Sequence, residues 1–431
     1  MVERRTVNSD VAGSSPAIPA ILGFYFMKAY YLNINDVYVD IIRSDNLKYL
    51  KTMEDNSVHS VVCDPPYEIS FMYSEKNKWD RGSRAHDQEL WAECLRVLKP
   101  GGYLLAFSAT RTYHRLATAI EDAGFLIRDQ LAWMYGSGMP HGLNVAKAID
   151  KHLGVKPTVI GSRKLQGKAR TMNGGNYMGY EEREEIDEIN LTRATSKQAK
   201  LYEGFNTHLK PAVEPIVMAQ KPLSEKTIVK NILRWGTGAI NIDGCRTAID
   251  TSLDDPRLSG KGRWITKDAG RNVGAKYRGV EIVGTGKGRY PANLLHDGSD
   301  EVRSLFPSVK SGVAVQRNGG GQKFWGKGNG CGAREDAGYK DDLSAARFFY
   351  CAKRSKSEKG NSEHPTIKPI RLMRYLTRLI TPPGGIVLDH FAGTGTTGYA
   401  AYLEGFDSIL IEQSKEYVRD TKNRFRPLLA D

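Results

Sequence analysis

Two segments of the sequence are the most informative about its fold: Ser-Val-Val-Cys-Asp-Pro-Pro-Tyr at residues 60–67, and Ile-Val-Leu-Asp-His-Phe-Ala-Gly-Thr-Gly-Thr at residues 386–396. Each begins as a short apolar run rich in β-branched residues, which is typical of a buried parallel strand. Each then enters a segment of restricted backbone, prolines in the first and glycines in the second. Ligands of open α/β sheets bind at the carboxyl ends of the strands. If the two strands are neighbours, we expect both segments to meet at one ligand site.

The glycine turn at Gly393 and Gly395 allows the backbone to approach a ligand closely. It lacks the third glycine of a dinucleotide-binding fingerprint, because Gly398 follows at another offset, and no Gly-Lys-Ser/Thr ending marks a P-loop. An NAD-dependent enzyme is therefore disfavoured. Beyond a helix through residues 399–403, residues 408–411 predict another strand, which ends in Glu412. A carboxylate there can accept hydrogen bonds from both ribose hydroxyls of an adenosine-containing ligand.

The segment from Asp64 to Tyr67 is more specific than the glycine turn. Two consecutive prolines remove two backbone donors and fix φ, so the chain makes a stiff, extended bend whose carbonyls are free to accept hydrogen bonds. A carboxylate before the bend and an aromatic ring after it suit a planar base that carries an exocyclic amine. The alternative interpretation is a proline turn that closes a strand, with Tyr67 as an ordinary core residue.

Three segments together resemble the amino-group DNA methyltransferases that use S-adenosylmethionine: residues 64–67, residues 389–395 and the stretch His-Pro-Thr-Ile-Lys-Pro at 364–369. The catalytic segment precedes the cofactor segment by more than 300 residues, which is the permuted order of the beta class. Residues 133–140, 209–215 and 346–353 are similar to phage and prophage members of that class. Two positions depart from the family pattern: Val213, where we expect histidine, and His390, where proline is commoner.

The resemblance implies an α/β fold with a Rossmann-like methyltransferase sheet, mostly parallel with one antiparallel strand, and with a large insertion for target recognition. It implies S-adenosylmethionine as the cofactor and double-stranded DNA as the partner. No metal is expected, because the cysteines lack paired metal-ligand spacing. It assigns catalysis to Asp64, Pro65, Pro66 and Tyr67. Cofactor binding is assigned to eleven residues: Asp45, Thr366, Lys368, Asp389, Phe391, Ala392, Gly393, Thr394, Gly395, Thr396 and Glu412. For Asp45, a helix N-cap before Leu47 is an alternative that does not exclude a contact with the cofactor adenine.

The target base is the amine of adenine or of cytosine. In this family aspartate in the first position accompanies N6 of adenine, whereas serine more often accompanies N4 of cytosine, so Asp64 favours adenine. A carbon-5 cytosine methyltransferase would need a Pro-Cys pair, which the sequence lacks. A catalytically silent DNA-binding protein would not need Asp64, Tyr67, Gly393 and Glu412 together. A glutamine or RNA methyltransferase usually has asparagine in first position.

Alternating elements predict βαβ units with helices on both faces of the sheet. Strands are expected at 37–44, 60–63, 103–108 and 127–134, helices at 47–53, 87–98 and 113–123, and an antiparallel partner of the 127–134 strand at 216–220. The predicted domains are a catalytic half (27–156), a hairpin insertion (157–209) with a solvated helix at Glu181–Glu185, a core strand (210–222), a target-recognition region (223–345) and a cofactor-binding half (346–431). Residues 1–26 are an extension, either disordered or the result of a misassigned start.

The composition agrees with a polyanionic partner, because the chain of 431 residues carries a net charge of +13. Residues 255–340 hold sixteen Lys and Arg against eight Asp and Glu, with aromatic residues between them. Five unpaired cysteines and the lack of a spanning apolar run predict reduced thiols, no membrane segment and a cytoplasmic location. The resemblance leaves open whether a cognate restriction enzyme accompanies the chain, and whether the protein is a monomer or a homodimer.

Overall fold

The computed structural model describes residues 28–69, 80, 84–138, 142–170, 185–248, 263–265, 281–283, 288–310, 342–352 and 367–429. Several predictions lie outside these residues, among them Thr366, Cys331, residues 1–26 and much of the 223–345 region. Four other cysteines, Cys63, Cys94, Cys245 and Cys351, are free thiols. No helix in the described ranges is long and apolar enough to cross a bilayer.

The described strands and helices are numbered in chain order. The strands are β1 (Lys28–Ile34), β2 (Val37–Arg43), β3 (Val58–Cys63), β4 (Leu98–Phe107), β5 (Leu126–Met134), β6 (Thr158–Arg170), β7 (Glu185–Arg193), β8 (Val213–Gln220), β9 (Arg263–Ile265), β10 (Glu281–Val283), β11 (Leu294–His296), β12 (Ser308–Lys310), β13 (Asp342–Ser344), β14 (Tyr350–Cys351), β15 (Ile386–Asp389) and β16 (Asp407–Glu412). The helices are α1 (Asn46–Leu50), α2 (Gln88–Val97), α3 (Tyr113–Asp122), α4 (Val145–His152), α5 (Lys197–Leu201), α6 (Ile228–Trp235), α7 (Asp300–Leu305), α8 (Ile370–Ile380), α9 (Thr396–Leu403) and α10 (Lys415–Phe425).

Ten strands form one sheet in the order β1-β2-β16-β15-β3-β4-β8-β5-β11-β14. The run β2, β16, β15, β3 and β4 is parallel throughout, and β5, β11 and β14 are parallel to one another. The strand β8 lies between β4 and β5 and is antiparallel to β4. The mostly parallel sheet with an antiparallel strand is therefore confirmed. A second antiparallel strand, β1, pairs with β2 as a hairpin.

Helices cover both faces of the sheet, as the alternating pattern predicts. Adjacent side chains of a strand point to opposite faces, and β2 shows the consequence directly. Ile42 packs in one buried cluster with residues of α1 and α2, including Leu50 and Trp91. Ile41 packs in another cluster with Val418 and Phe425 of α10. A sheet buried on both faces explains why its central strands are continuous apolar runs.

Most predicted elements lie within two residues of their observed bounds, with two corrections. The strand expected at 103–108 begins earlier, because β4 starts at Leu98, directly after α2 ends at Val97. Gly102 is required there, because a Cβ on it would lie 2.9 Å from the carbonyl oxygen of His59. The predicted helix at Glu181–Glu185 is wrong at its described end, since Glu185 begins β7 and pairs with Arg170. Cross-strand pairing there overrides helix propensity.

The chain divides into two compact units. The larger comprises described residues within 28–65, 84–136 and 214–429, and the smaller comprises those within 66–80 and 137–213. The smaller unit contains α4, β6, β7 and α5, and its small core is formed by Ala146, Ala194 and Ala199. The Asp150 carboxylate anchors the segment after β7, since it accepts hydrogen bonds from the backbone N–H groups of Thr195 (2.8 Å) and Ser196 (3.0 Å).

Candidate functional site

The two decisive stretches of sequence are neighbours in the sheet. The strands β3 and β15 pair in parallel, with Ser60 opposite Val387 and Val61 opposite Leu388. Their carboxyl ends therefore lie side by side, so that Asp64 and the residues after Asp389 reach the same edge. The expected adjacency, on which the whole site depends, is confirmed.

Asp64 is held by a buried lysine. Nζ of Lys368 lies 2.6 Å from Oδ2 of Asp64, and the lysine side chain is only 7% exposed. The other carboxylate oxygen, Oδ1, is buried and accepts no hydrogen bond from any described residue. A buried acceptor without a donor costs free energy. Asp64 is therefore prepared to accept a hydrogen bond from a bound molecule.

Three residues around Lys368 were missed by sequence reasoning. Glu214, at the start of β8, is a second carboxylate for this lysine, with Oε2 3.3 Å from Nζ. The Lys368 ammonium also lies 4.9 Å from the ring centroid of Phe107, a cation–π contact. Burial, with the Glu214 charge, raises the pKa of Tyr135 to about 12. Because β8 is antiparallel, its first residues lie at the edge where the parallel strands end, and this could have identified Glu214.

The glycine turn is fixed from outside by α10. The Thr421 hydroxyl donates to the carbonyl of Gly393 (3.1 Å), and Nε of Arg424 donates to the carbonyl of Thr394 (2.9 Å). Gly395 has φ +72°, and a Cβ on it would clash with Cγ2 of Thr421. Only glycine fits at this position without displacing its neighbours. The turn leads directly into α9, of which Thr396 is the first residue.

Two carboxylates flank the turn, the buried Asp389 and the partly buried Glu412. Burial raises the pKa of Asp389 to about 7, and the nearby charges of Asp64 and Glu412 raise it further. Hydrogen bonds from Thr397 and from the N–H of Phe391 act in the opposite direction but are outweighed. Burial likewise raises the pKa of Glu412 to about 7, although its oxygens accept from the backbone N–H groups of Gly393 (2.9 Å) and Ser414 (2.7 Å). Such an acidic edge favours a positively charged ligand. A sulfonium and an α-ammonium group, as in S-adenosylmethionine, fit this set of residues.

The remaining assigned residues lie as follows. Asp45 is the N-cap of α1, because its Oδ1 accepts from the Lys48 N–H at 3.0 Å, and its Oδ2 is paired with Arg84 at 3.1 Å. Phe391 and Ala392 form the start of the turn, where the Ala392 N–H donates to the carbonyl of Ile411. Thr366 lies outside the described residues. Pro65 is buried at the end of β3.

Pro66 and Tyr67 belong to the smaller unit, whose backbone is unusual just beyond them. Glu68 has φ +55°, in the left-handed region that non-glycine residues rarely adopt. Its N–H donates to Oδ1 of Asp80 at 2.7 Å, and Asp80 is buried. Strained backbone held by a buried carboxylate is typical of functional segments. Neither Glu68 nor Asp80 was singled out from the sequence.

The family follows from a comparison with known proteins. The sequence model of a family described as DNA methylase, the N6/N4 methyltransferase family, matches residues 58–423. The chain belongs to this family. The match includes the Asp64 segment, Lys368, the glycine turn and Glu412. The amino-group DNA methyltransferases of this family use S-adenosylmethionine, and the expected cofactor is thereby confirmed.

The chain is distantly similar to individual curated proteins. The type II methyltransferase M.HindIII of Haemophilus influenzae is 22% identical over 238 residues, which cover 47% of this chain and 64% of that protein. The type II methyltransferase M2.LlaDCHI of Lactococcus lactis is 24% identical over 219 residues, with coverages of 46% and 77%. The chain thus spans a little under two thirds of the length of M.HindIII.

Solved structures resemble the chain at low sequence identity. A complex of M1.HpyAVI with SAM is 15% identical, with a TM-score of 0.38 over 90% of this chain and 98% of that one. The cytosine-N4-specific PvuII DNA methyltransferase is 14% identical, with a TM-score of 0.41 over 90% of this chain and 86% of that one.

Proposed function

We propose that this chain transfers a methyl group from S-adenosylmethionine to the exocyclic N6 of an adenine flipped out of double-stranded DNA. The observation that supports it best is the state of Asp64. One oxygen is engaged by Lys368, and the other is buried without a described partner at the sheet edge that carries the glycine turn. An aspartate in this position favours adenine over cytosine. Methylation of N4 of cytosine is the alternative.

The residues of the chain act on the amine. In a base the amine lone pair is delocalised into the ring, so the nitrogen is a poor nucleophile. Oδ1 of Asp64 and the carbonyl of Pro65 accept its two hydrogens and draw the nitrogen toward tetrahedral geometry, while Tyr67 offers a stacking face for the flipped base. When bound, S-adenosylmethionine supplies an electrophilic methyl group. After transfer the nitrogen loses one proton, and Oδ1 of Asp64 is placed to receive it.

The cofactor residues have separate tasks in this proposal. The turn from Phe391 to Thr396 holds the methionine end, together with Thr366, and the Asp389 carboxylate compensates positive charge. When the cofactor binds, Glu412 accepts hydrogen bonds from the ribose hydroxyls. These replace the hydrogen bonds that its carboxylate accepts from backbone N–H groups in the structure. Asp45 contacts the adenine ring of the cofactor. No metal ligand is needed, since the reaction is a direct displacement.

Recognition of the DNA sequence is assigned to residues 223–345. Their excess of Lys and Arg suits phosphate contacts, and DNA affinity should then fall with salt with a logarithmic slope of about −0.9 per contact. Charge reversals there should flatten that slope and leave cofactor binding unchanged. The competing assignment places readout in residues 157–209. To distinguish the two assignments, each segment is replaced by the corresponding segment of another family member and the methylated sites are sequenced. Only replacement of the segment that recognises the DNA sequence should change the methylated motif.

Long-read sequencing that detects methylated bases, on DNA from cells that express the protein, tests the proposed function. We expect N6-methyladenine within one short motif, absent from cells that express Asp64→Ala. Methylation at N4 of cytosine would select the alternative base. Unmethylated DNA, with the purified protein binding DNA and S-adenosylmethionine, would contradict the activity. A restriction enzyme that accompanies this chain would cut the same motif.

A further inference from the structure

Lys368 lies between two carboxylates from distant parts of the chain. It comes just before α8, while Asp64 follows β3 and Glu214 begins β8. The Lys368–Asp64 contact is 2.6 Å and the Lys368–Glu214 contact is 3.3 Å, and the exposed fractions of the three side chains are 7%, 22% and 17%. The resemblance assigns this lysine to cofactor binding. In the structure its ammonium group is engaged by the carboxylates.

The charge balance explains why the lysine stays ionised. Burial disfavours the charged form, but the adjacent carboxylates of Asp64 and Glu214 outweigh it, so that the pKa of Lys368 is raised. A buried ammonium with only one adjacent carboxylate would be less well compensated for its burial. The Tyr135 hydroxyl and the Phe107 ring also lie near this ammonium.

The sheet holds the backbone that directly follows Glu214. The pairing of β8 with β4 places Ile216 opposite Phe107, and the Ser108 N–H donates to the carbonyl of Pro215 at 2.9 Å. The carboxylate therefore projects from a strand inside the sheet, and it can restrain the long, flexible lysine side chain. A lysine alone has enough rotamer freedom to leave Asp64.

Resting on the proposed function, we propose that Glu214 is a positioning residue for methyl transfer, acting through Lys368. It holds the ammonium group so that Oδ2 of Asp64 stays engaged and Oδ1 faces the target amine. Glu214 contacts neither base nor cofactor in this arrangement. Its loss should misplace the Asp64 carboxylate without weakening the binding of S-adenosylmethionine.

A double-mutant cycle tests whether Glu214 acts through Lys368. In the otherwise wild-type chain, Glu214→Gln should slow single-turnover methylation by about tenfold to a hundredfold at saturating DNA and cofactor, because a small misplacement near the reacting atoms has that effect. In the Lys368→Met background, the same change should cause no further loss, since coupled residues are not additive. Equal losses in both backgrounds, or an unchanged rate in the wild-type background, would overturn the proposal.

Two further variants separate positioning from folding. Glu404→Gln is a matched control, because Glu404 is a 10% exposed carboxylate paired at 2.6 Å with Arg374 and Arg378 on the same helix α8. It should lower the melting temperature without changing the single-turnover rate. Glu214→Asp keeps the charge on a shorter side chain, and it should retain more of the rate than Glu214→Gln. If Glu214→Gln does not fold, Glu214→Asp replaces it in the double-mutant cycle with Lys368→Met. No further loss of rate in the Lys368→Met background then supports the proposal, and an equal loss in both backgrounds overturns it.

A measurement without activity keeps this inference distinct from the proposed function. The pKa of Lys368, followed by competitive acylation of amines and mass spectrometry, should be lower in Glu214→Gln than in the wild type, while Glu404→Gln leaves it unchanged. An unchanged pKa would contradict the placement of the lysine. A wild-type protein that methylates no DNA would refute the proposed function alone. If the wild-type protein methylates DNA but the effects of Glu214→Gln and Lys368→Met on the rate simply add, only this inference would be refuted.

Discussion

Val61 of β3 lies directly opposite Leu388 of β15 in parallel register. Three residues beyond Val61 the chain reaches Asp64, and one residue beyond Leu388 it reaches Asp389, so one pairing brings together segments more than 300 residues apart in sequence. The permuted order of catalytic and cofactor segments therefore does not matter to the geometry. Parallel neighbours present their carboxyl ends at one edge whichever of them comes first in the chain.

Asp64 should matter for transfer and little for cofactor binding. Asp64→Asn keeps the shape of the side chain but replaces the anionic acceptor, and we expect the single-turnover rate to fall by at least about a hundredfold. The dissociation constant for S-adenosylmethionine, measured by calorimetry, should stay within about twofold, because we propose that the cofactor binds mainly at the Gly393 turn. A loss of cofactor affinity as large as the loss of rate would contradict this division of tasks.

Gly395 should tolerate no side chain. Gly395→Ala forces a left-handed residue, which costs about 1–2 kcal/mol, and also overpacks Thr421, which costs about 1–3 kcal/mol more. Gly405→Ala is the matched control, because Gly405 has φ +76° and no atom within 4 Å of its added Cβ. Urea denaturation should show the larger loss for Gly395→Ala, and only that variant should lose cofactor affinity. If Gly395→Ala and Gly405→Ala lose the same stability, Thr421 moves aside at no cost and the steric argument is wrong.

Glu412 should make cofactor binding depend on pH. Burial raises its pKa to about 7, and the ionised carboxylate is the better acceptor for ribose hydroxyls. Cofactor affinity should therefore rise as the pH rises through about 7. Glu412→Gln should flatten that dependence and weaken binding above this pH by about 1.5–3 kcal/mol. Calorimetry across the range measures both, and an identical pH profile in wild type and variant would place the ribose contact elsewhere.

The same carboxylate should affect stability in the opposite sense. Its folded pKa of about 7 exceeds the ordinary value of 4.5, so between these values the folded chain binds more protons than the unfolded chain. Without cofactor, the free energy of unfolding should fall as the pH rises through that window. Glu412→Gln should reduce this slope, and Asp389 accounts for part of what remains. Urea denaturation at several pH values checks it, and a slope that Glu412→Gln leaves unchanged would contradict the assigned cause.

Two substitutions of Asp45 should distinguish its role as a helix cap from a contact with the cofactor. Asp45→Ala removes the N-cap of α1 and should cost about 1 kcal/mol, whereas Asp45→Ser keeps a capping oxygen and should cost little. If the carboxylate also contacts the cofactor adenine, both variants should weaken binding of S-adenosylmethionine. Cofactor affinity retained in Asp45→Ser would leave Asp45 with the cap alone.

Features of the structure that depend on neighbouring residues could be predicted from the sequence, whereas contacts between residues far apart in the chain could not. Strands β3, β15 and β16 and the turn at Gly395 are set by local patterns, apolar runs followed by prolines or glycines, and these were found. The Lys368–Glu214 contact joins residues 154 positions apart and needs the sheet order, which no local pattern contains. Glu68 and Asp80 were missed because positive φ on a glutamate is imposed by tertiary contacts rather than by propensity.

The most direct test of the central claim is nucleoside mass spectrometry of DNA treated with the purified protein and methyl-labelled S-adenosylmethionine. We expect labelled N6-methyladenine with the wild-type chain and none with Asp64→Asn, although that variant still binds the cofactor. Label on carbon 5 of cytosine, or N6-methyladenine formed equally well by Asp64→Asn, would contradict an amine methyltransferase that works through the Asp64 carboxylate.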